Sequence, residues 1–226
     1  MKILIAIILV LTPLMACTSA SKSIAPEIYP AMFPGFSFTR VTISTPSLTG
    51  YEYQTNKGKA LNIKHCQQAN NTDVARIADY DYFRFKLLTL SCKAVEKYSL
   101  ARPSSQSYFP SKLNTQFIAQ LPAEVVPLLS KTDLTKRLGK TLGTYDKNTQ
   151  LQSEGAHTTK LLTKDDEFYI TELARGDFTG DGIEDVLIKT EWYARHAHGK
   201  HADLLILSMP NKAQSVTVFW RLNKFE

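Results

Sequence analysis

Apolar and polar positions alternate most regularly in the last third of the chain. Glu167 to Leu173, Glu184 to Trp192, Ala202 to Ser208 and Ser215 to Leu222 are rich in Ile, Val, Phe, Tyr and Trp, the composition of β-strands. In the last of these, Val216, Val218, Trp220 and Leu222 interleave with Thr217, Phe219 and Arg221. The links between the four are short, which predicts an antiparallel meander. The pattern before them is different. From Thr72 to Arg102 there is no Gly or Pro, and Phe83, Leu87, Leu90, Ala94 and Tyr98 fall at helical spacing. The run Phe83 to Leu87 also alternates like a strand, but the length of the segment predicts a helix, with Asp79 as its N-cap and Arg102-Pro103 ending it.

A second helical stretch covers Leu113 to Leu129 and is interrupted at Leu121-Pro122, where Pro122 suits the first position of a new helix. A third, Asp133 to Leu142, sets Leu134, Leu138 and Leu142 on one face, with Lys136, Arg137 and Lys140 on a solvated side. Gly139-Lys140-Thr141 lacks the earlier glycine of a phosphate-binding loop, since position 134 is Leu. Residues 36–66 look β-rich. Phe36, Phe38, Val41 and Ile43 alternate loosely, with turns at Ser47 to Gly50 and at Lys57-Gly58. The expected fold is therefore α+β, with an N-terminal β-hairpin and helices followed by a C-terminal four-stranded antiparallel β-meander. One domain covers 35–226, its helical part about 72–142 and its β part about 165–224.

Composition narrows the class. Of 226 residues 43% are hydrophobic and 10% aromatic, enough for a packed core. Lys and Arg total 27 against 21 Asp and Glu, a net charge of +6. That weak and scattered basic balance gives no footprint for nucleic acid. It permits attraction to anionic lipid or acidic glycan.

The N-terminus carries an address. Met1-Lys2 is followed by an unbroken apolar run, Ile3 to Leu11, shorter than the ~20 residues of a membrane-spanning helix and suited to the core of a signal peptide. Then comes Leu14-Met15-Ala16-Cys17. This resembles the lipobox of bacterial lipoproteins. The resemblance implies cleavage of residues 1–16 as a signal peptide, Cys17 as the lipid-modified first mature residue, and a membrane partner reached through that anchor. In that family Thr18, rather than Asp, next to the cysteine implies the outer membrane. Cleavage removes one lysine, and 26 − 21 leaves +5. Residues 17–34 hold three prolines and no apolar period and read as the lipidated Cys and a flexible tether. Export also bears on the other two cysteines. Cys66 and Cys92 are an even pair in an oxidising compartment, which favours a disulfide over two free thiols.

Between the first two strands of the meander lies Asp177-Phe178-Thr179-Gly180-Asp181-Gly182-Ile183-Glu184-Asp185. Oxygen-bearing side chains fall at loop positions 1, 3, 5 and 9 and glycine at 6, a spacing that suits Ca2+, which takes six to eight oxygens. Position 12 is Ile188 and the flanks are strands, so this is no EF-hand. The loop resembles the calcium loop of FG-GAP and VCBS-type repeats. It implies a structural Ca2+ held by Asp177, Thr179, Asp181, the Ile183 carbonyl and Asp185. It occurs in a single copy, so one pinned hairpin is implied rather than a propeller.

A second cluster, His196, His198 and His201, occupies the next hairpin. Three imidazoles can take Zn2+ or Cu2+, although Arg195 and Lys200 oppose a cation there. No nucleophile elbow, zincin helix or dinucleotide fingerprint occurs. The sequence thus points to a lipid-anchored envelope protein, a non-enzymatic binding or structural module whose partner is an envelope protein or glycan. A periplasmic hydrolase or metal-handling protein using the histidines, and a surface adhesin, are the alternatives.

Overall fold

The computed structural model describes residues 23–39 and 45–223. The signal segment, Cys17 and the expected strand residues Val41 and Ile43 lie outside the described residues. The elements are β1 (Glu27–Ile28), β2 (Phe36–Ser37), β3 (Ser47–Leu48), β4 (Glu52–Gln54), β5 (Ala60–Asn62), α1 (Cys66–Asn71), α2 (Asp79–Ser99), α3 (Thr115–Gln120), α4 (Lys131–Arg137), β6 (Gln150–Ser153), β7 (Thr158–Leu162), β8 (Asp166–Gly176), β9 (Asp185–Ala194), β10 (Lys200–Ser208) and β11 (Thr217–Arg221). The α+β class and the antiparallel C-terminal meander are as expected.

The meander is larger than its sequence pattern. Six strands run in the order β11-β10-β9-β8-β7-β6, and β1 adds to β8 beyond the end of β7. The missed strands β6 and β7 read Gln-Leu-Gln-Ser and Thr-Thr-Lys-Leu-Leu, too polar to stand out. Ser47–Leu48, expected as a turn, pairs as a strand with Phe36–Ser37. The second small hairpin, β4–β5, turns at Lys57-Gly58 as expected, with Gly58 at φ 70.

The expected face of α2 is the one it buries against the sheet. Leu90, Ala94 and Val95 pack with Leu173, Leu187, Ala202, Leu204 and Ile206, flanked by Phe83, Leu87 and Tyr98. Its opposite face was not foreseen. Phe85, Leu88 and Cys92 pack on Leu48, Tyr53 and Ile63 of the N-terminal hairpins and on Ile77 just before the helix. The Cys66–Cys92 disulfide fixes that contact, with Cα atoms 5.3 Å apart. The helix starts where expected, although Ala78 is the N-cap and offers no side-chain bond.

The other face of the sheet carries Leu161, Phe168, Ile170, Val186, Ile188, Leu205 and Leu207. It is covered by Ile118, Leu121, Val125, Val126 and Leu142. The helices supplying that cover are shorter than expected. Pro122 caps a single 3-10 turn, Ala123–Val125, and α4 ends at Arg137. Arg137 is not on a solvated side. It is 7% exposed, and its Nη1 donates to the carbonyl oxygens of Pro127 at 2.9 Å and Val126 at 3.3 Å. Its guanidinium lies 5.5 Å from the Tyr145 ring centre and 5.8 Å from that of Phe168. Bonded carbonyls and ring faces let a cation be buried here.

The segment expected to be a tether over 17–34 is corrected in its described part. Ile24 exchanges backbone hydrogen bonds with Ser104 at 2.7 and 2.9 Å. Glu27 and Ile28 pair with Arg175 and Ala174, and Phe33 is 1% exposed. From Ile24 onward the chain belongs to the folded unit, because Ile28, Met32 and Phe33 carry apolar surface that completes the core beside α2. Among the described residues no helix is long and apolar enough to cross a membrane.

Candidate functional site

The acidic loop joins β8 to β9, as expected. Its glycines supply the backbone it needs, with Gly180 and Gly182 at φ 87 and 81. Its carboxylates are answered from within the chain. Asp177 accepts the N–H groups of Gly180 and Gly182, and the latter bond is 2.9 Å. Asp185 Oδ2 accepts from Phe178 at 2.9 Å and Thr179 at 3.0 Å. Asp181 Oδ1 accepts from Ile183 at 2.8 Å. Glu184 Oε2 accepts from the Ser107 hydroxyl at 2.6 Å and from Arg175 at 3.3 Å. Mutual repulsion is therefore offset by N–H dipoles and one arginine.

Asp185 Oδ1 stands apart. The residue is 0% exposed and this oxygen has no hydrogen bond. Burial pushes the Asp185 carboxyl up from its ordinary value, against the Phe178 and Thr179 N–H groups that favour its charged form. The loop is also stitched to residues 102–106. Arg102 and Asp177 exchange backbone bonds at 2.9 Å, and Ser105 N–H donates to the Gly182 carbonyl at 2.8 Å.

The histidines do not converge. His196 and His198 are exposed in the turn between β9 and β10, while His201 is half-buried on β10 opposite Trp192. Among the described residues no three or more His, Cys, Asp or Glu side chains are grouped to hold a metal ion. A Ca2+ at the acidic loop would thus need Thr179, the Ile183 carbonyl and water in addition to its aspartates.

Sequence reasoning missed a third cluster. The α2-facing side of the sheet is covered over β10 and over the loop-proximal ends of β8 and β9, where Leu173, Ala174 and Leu187 pack, and the far ends of β8 and β9 are polar. Glu167 and Tyr169 on β8 lie opposite Tyr193 and Glu191 on β9. Two Glu-aromatic-Tyr steps therefore run antiparallel on one face. Each is completed by a lysine. Lys160 Nζ is 3.0 Å from Glu167 and Lys189 Nζ is 2.8 Å from Glu191. The Tyr193 hydroxyl donates to Glu191 at 2.6 Å, and that of Tyr169 to Glu167. The two rings meet edge to face, 5.9 Å between centres.

Glu167, Tyr169, Glu191 and Tyr193 line, with Thr158 and Thr171, an open cleft of about 360 Å³. The Tyr169 hydrogen bond holds the Glu167 carboxyl below its ordinary range. Tyr169 is raised chiefly by that same bond, and Tyr193 is raised chiefly by burial. Both phenols are thus neutral donors at physiological pH. The signal was present as Glu167-Phe168-Tyr169 and Glu191-Trp192-Tyr193 on two expected strands, but only the register brings them together.

A larger depression, about 540 Å³, lies beside the disulfide and is lined by His65, Gln67, Asn70, Asn71 and Glu96 among others. It holds no comparable cluster of paired charges. No protein-family model, curated protein or solved structure matches the chain.

His201 gives a pH prediction. Burial, then the nearby Lys86, lower its pKa from 6.5, with Asp203 opposing and Arg221 adding to the effect. A lowered histidine favours the neutral form in the folded state. Its contribution is full above the unfolded value and is lost as pH falls through the folded one. Thermal melts between pH 7.5 and 5.5 should show a smaller drop in midpoint for His201→Gln than for the wild type; parallel drops would refute this.

Proposed function

We propose that the chain is an exported, lipid-anchored binding module of the cell envelope, and that its cleft takes an uncharged, polyhydroxylated ligand, a glycan. The observation that carries this reading is the Glu167/Tyr169/Lys160 and Glu191/Tyr193/Lys189 pair on adjacent strands. The two carboxylates and two ammonium groups cancel, so neither a free anion nor a free cation gains a net partner. What remains is a set of oriented hydroxyls and carboxylate lone pairs around aromatic rings, which suits sugar hydroxyls and C–H faces. The Cys66–Cys92 bridge supports export, and Leu14-Met15-Ala16-Cys17 supports the anchor.

The anchor is tested by mass spectrometry of the amino-terminal peptide from membrane fractions. Cys17 is expected as an acylated first residue, with Cys17→Ala released to the soluble fraction. An unmodified peptide beginning at Met1 defeats the anchor. The cleft is tested by calorimetric titration with a panel of uncharged di- and trisaccharides and charged counterparts. Binding of uncharged members should weaken about tenfold or more in Glu191→Gln and Tyr169→Phe, the loss of a hydrogen bond at a charged group. Binding confined to charged members, or insensitive to both changes, removes the glycan reading.

A structural Ca2+ in the acidic loop is a second reading, favoured by the buried Asp185 Oδ1 that lacks a hydrogen bond. A cation ligated only in the folded state raises its stability by mass action. Millimolar Ca2+ should raise the melting temperature, a chelator should reverse it, and Asp181→Ala should abolish the response. A melting temperature indifferent to Ca2+ ends this reading and leaves the loop held by its own N–H groups.

A further inference from the structure

We propose that the end of the molecule formed by Leu100, Phe178, Phe219 and Trp220 lies against the bilayer to which the chain is tethered. The proposal rests on the lipid-anchor reading of Cys17 and adds which face meets the membrane.

The first support is where the chain joins the fold. Ile24 is already paired with Ser104. Only seven residue steps separate it from Cys17, a reach of roughly 25 Å at full extension. The next residues stay at the same end. The Pro26 carbonyl accepts the Tyr98 hydroxyl at 3.2 Å. A Cβ placed on Gly176 would lie 3.1 Å from Pro26 and 3.0 Å from Ala101. The junction thus sits beside the C-terminus of α2, where Leu100 is the cap. An acyl chain on Cys17 would hold this end of the fold near the lipid surface.

The second support is what that end displays. Leu100 is 70% exposed and Phe219 58%. Both border one shallow depression with Phe178, Ile206, Trp220 and Lys97. Phe219 is presented by a strand irregularity. Ile206 pairs with Trp220 and the next residue, Leu207, pairs with Val218, so Phe219 is the extra residue of a bulge. The bulge turns a phenyl ring outward on an edge strand, where a regular register would have paired the position.

Two basic side chains lie near the patch. Lys97 Nζ lies 4.3 Å from the Trp220 ring centre, and Arg102 is exposed next to the loop. Leu and Phe with an indole ring and basic side chains at the rim form the set that sits at the boundary of acyl chains and anionic headgroups. Glu27, Glu96 and Asp181 are also exposed at this end, so the contact depends on the apolar tip more than on net charge.

The chain has two tryptophans, which makes the test direct. Trp192 sits opposite His201 and Trp220 opposite Ile206, five residues apart along β10, or roughly 16 Å. Full-length acylated protein is reconstituted in phosphatidylethanolamine–phosphatidylglycerol vesicles carrying spin-labelled lipid. The mass of its amino-terminal peptide is read on the same preparation. Trp220, isolated in Trp192→Phe, should be quenched several-fold more than Trp192, isolated in Trp220→Phe. Leu100→Glu with Phe219→Glu should abolish the difference. Both substituted side chains are exposed, and an unchanged melting temperature verifies the fold.

Acylated Cys17 with Trp220 no more quenched than Trp192 overturns the membrane face and leaves the anchor standing. An unmodified Cys17 overturns the anchor and the orientation with it. Cross-linking of copies through a photoreactive benzophenone side chain introduced in place of Phe219, with Trp220 unquenched, assigns the patch to a second copy and also overturns the proposal.

Discussion

Arg175 is the residue through which the separate parts of the molecule hold one another. Its Nε donates to Glu172 and its Nη1 lies 3.3 Å from Glu184, with all three side chains buried. Burial alone would weaken the guanidinium charge, but the hydrogen bond and charge of Glu172 more than offset it and the group is held above its ordinary value. Two carboxylates around one arginine leave a surplus negative charge, which neutral donors spread. Ser107 donates to Glu184, and Tyr29 donates to Glu172 at 3.4 Å while stacking on His157 at 3.8 Å between ring centres. Deleting one partner of such a group typically costs about 3–5 kcal/mol, since the rest stays buried and unpaired.

The geography of this cluster matters more than its energy. Glu172 and Arg175 belong to β8, Glu184 to the acidic loop, Ser107 to the connector after α2, and Tyr29 to the segment that follows β1. One charge cluster therefore fixes the acidic loop, the place where the N-terminal segment docks, and the connector that carries the chain from one sheet face to the other. The loop geometry follows from this arrangement. With Glu184 drawn to Arg175 and Asp177 and Asp185 turned onto N–H groups, the loop is held from several sides by the protein itself.

Much of this was legible before any coordinates. The four strongest strands were, because alternation and β-branched or aromatic residues coincide there. So was the sheet-facing side of α2, because Phe83, Leu87, Leu90, Ala94 and Tyr98 share one helical stripe. The Cys66–Cys92 bridge followed from an expected export and an even count of the remaining cysteines. What stayed hidden was non-local or polar. β1 is two residues whose only strand signal is the partner they find on β8. β7 begins Thr158-Thr159-Lys160, and its Thr158 lines the polar cleft. Arg137 reads as a surface residue until Pro127, Val126, Tyr145 and Phe168 surround it. The cleft needed register, since Glu167 opposite Tyr193 and Tyr169 opposite Glu191 is a fact about pairing.

Why the cleft exists at all follows from coverage. Helix α2 is 21 residues long, about 31 Å, and it crosses one face of a sheet too wide for one helix. Where it lies, β9 and β10 present Leu187, Ala202, Leu204 and Ile206. Beyond it, the same face switches to Lys160, Glu167, Tyr169, Lys189 and Glu191, with Tyr193 at the border against Phe83 of the helix. The opposite face, packed by residues 109–142, is apolar along Phe168, Ile170 and Ile188, and its polar groups Thr190 and Asp203 are buried, the latter paired with Arg221. A polar patch that only had to be soluble could use any mixture of charges. Here each carboxylate is oriented by one tyrosine and one lysine, and the two sets repeat across the strand pair. Solvation alone does not demand that order, whereas the proposed uncharged ligand, recognised by the direction of its hydroxyls, would.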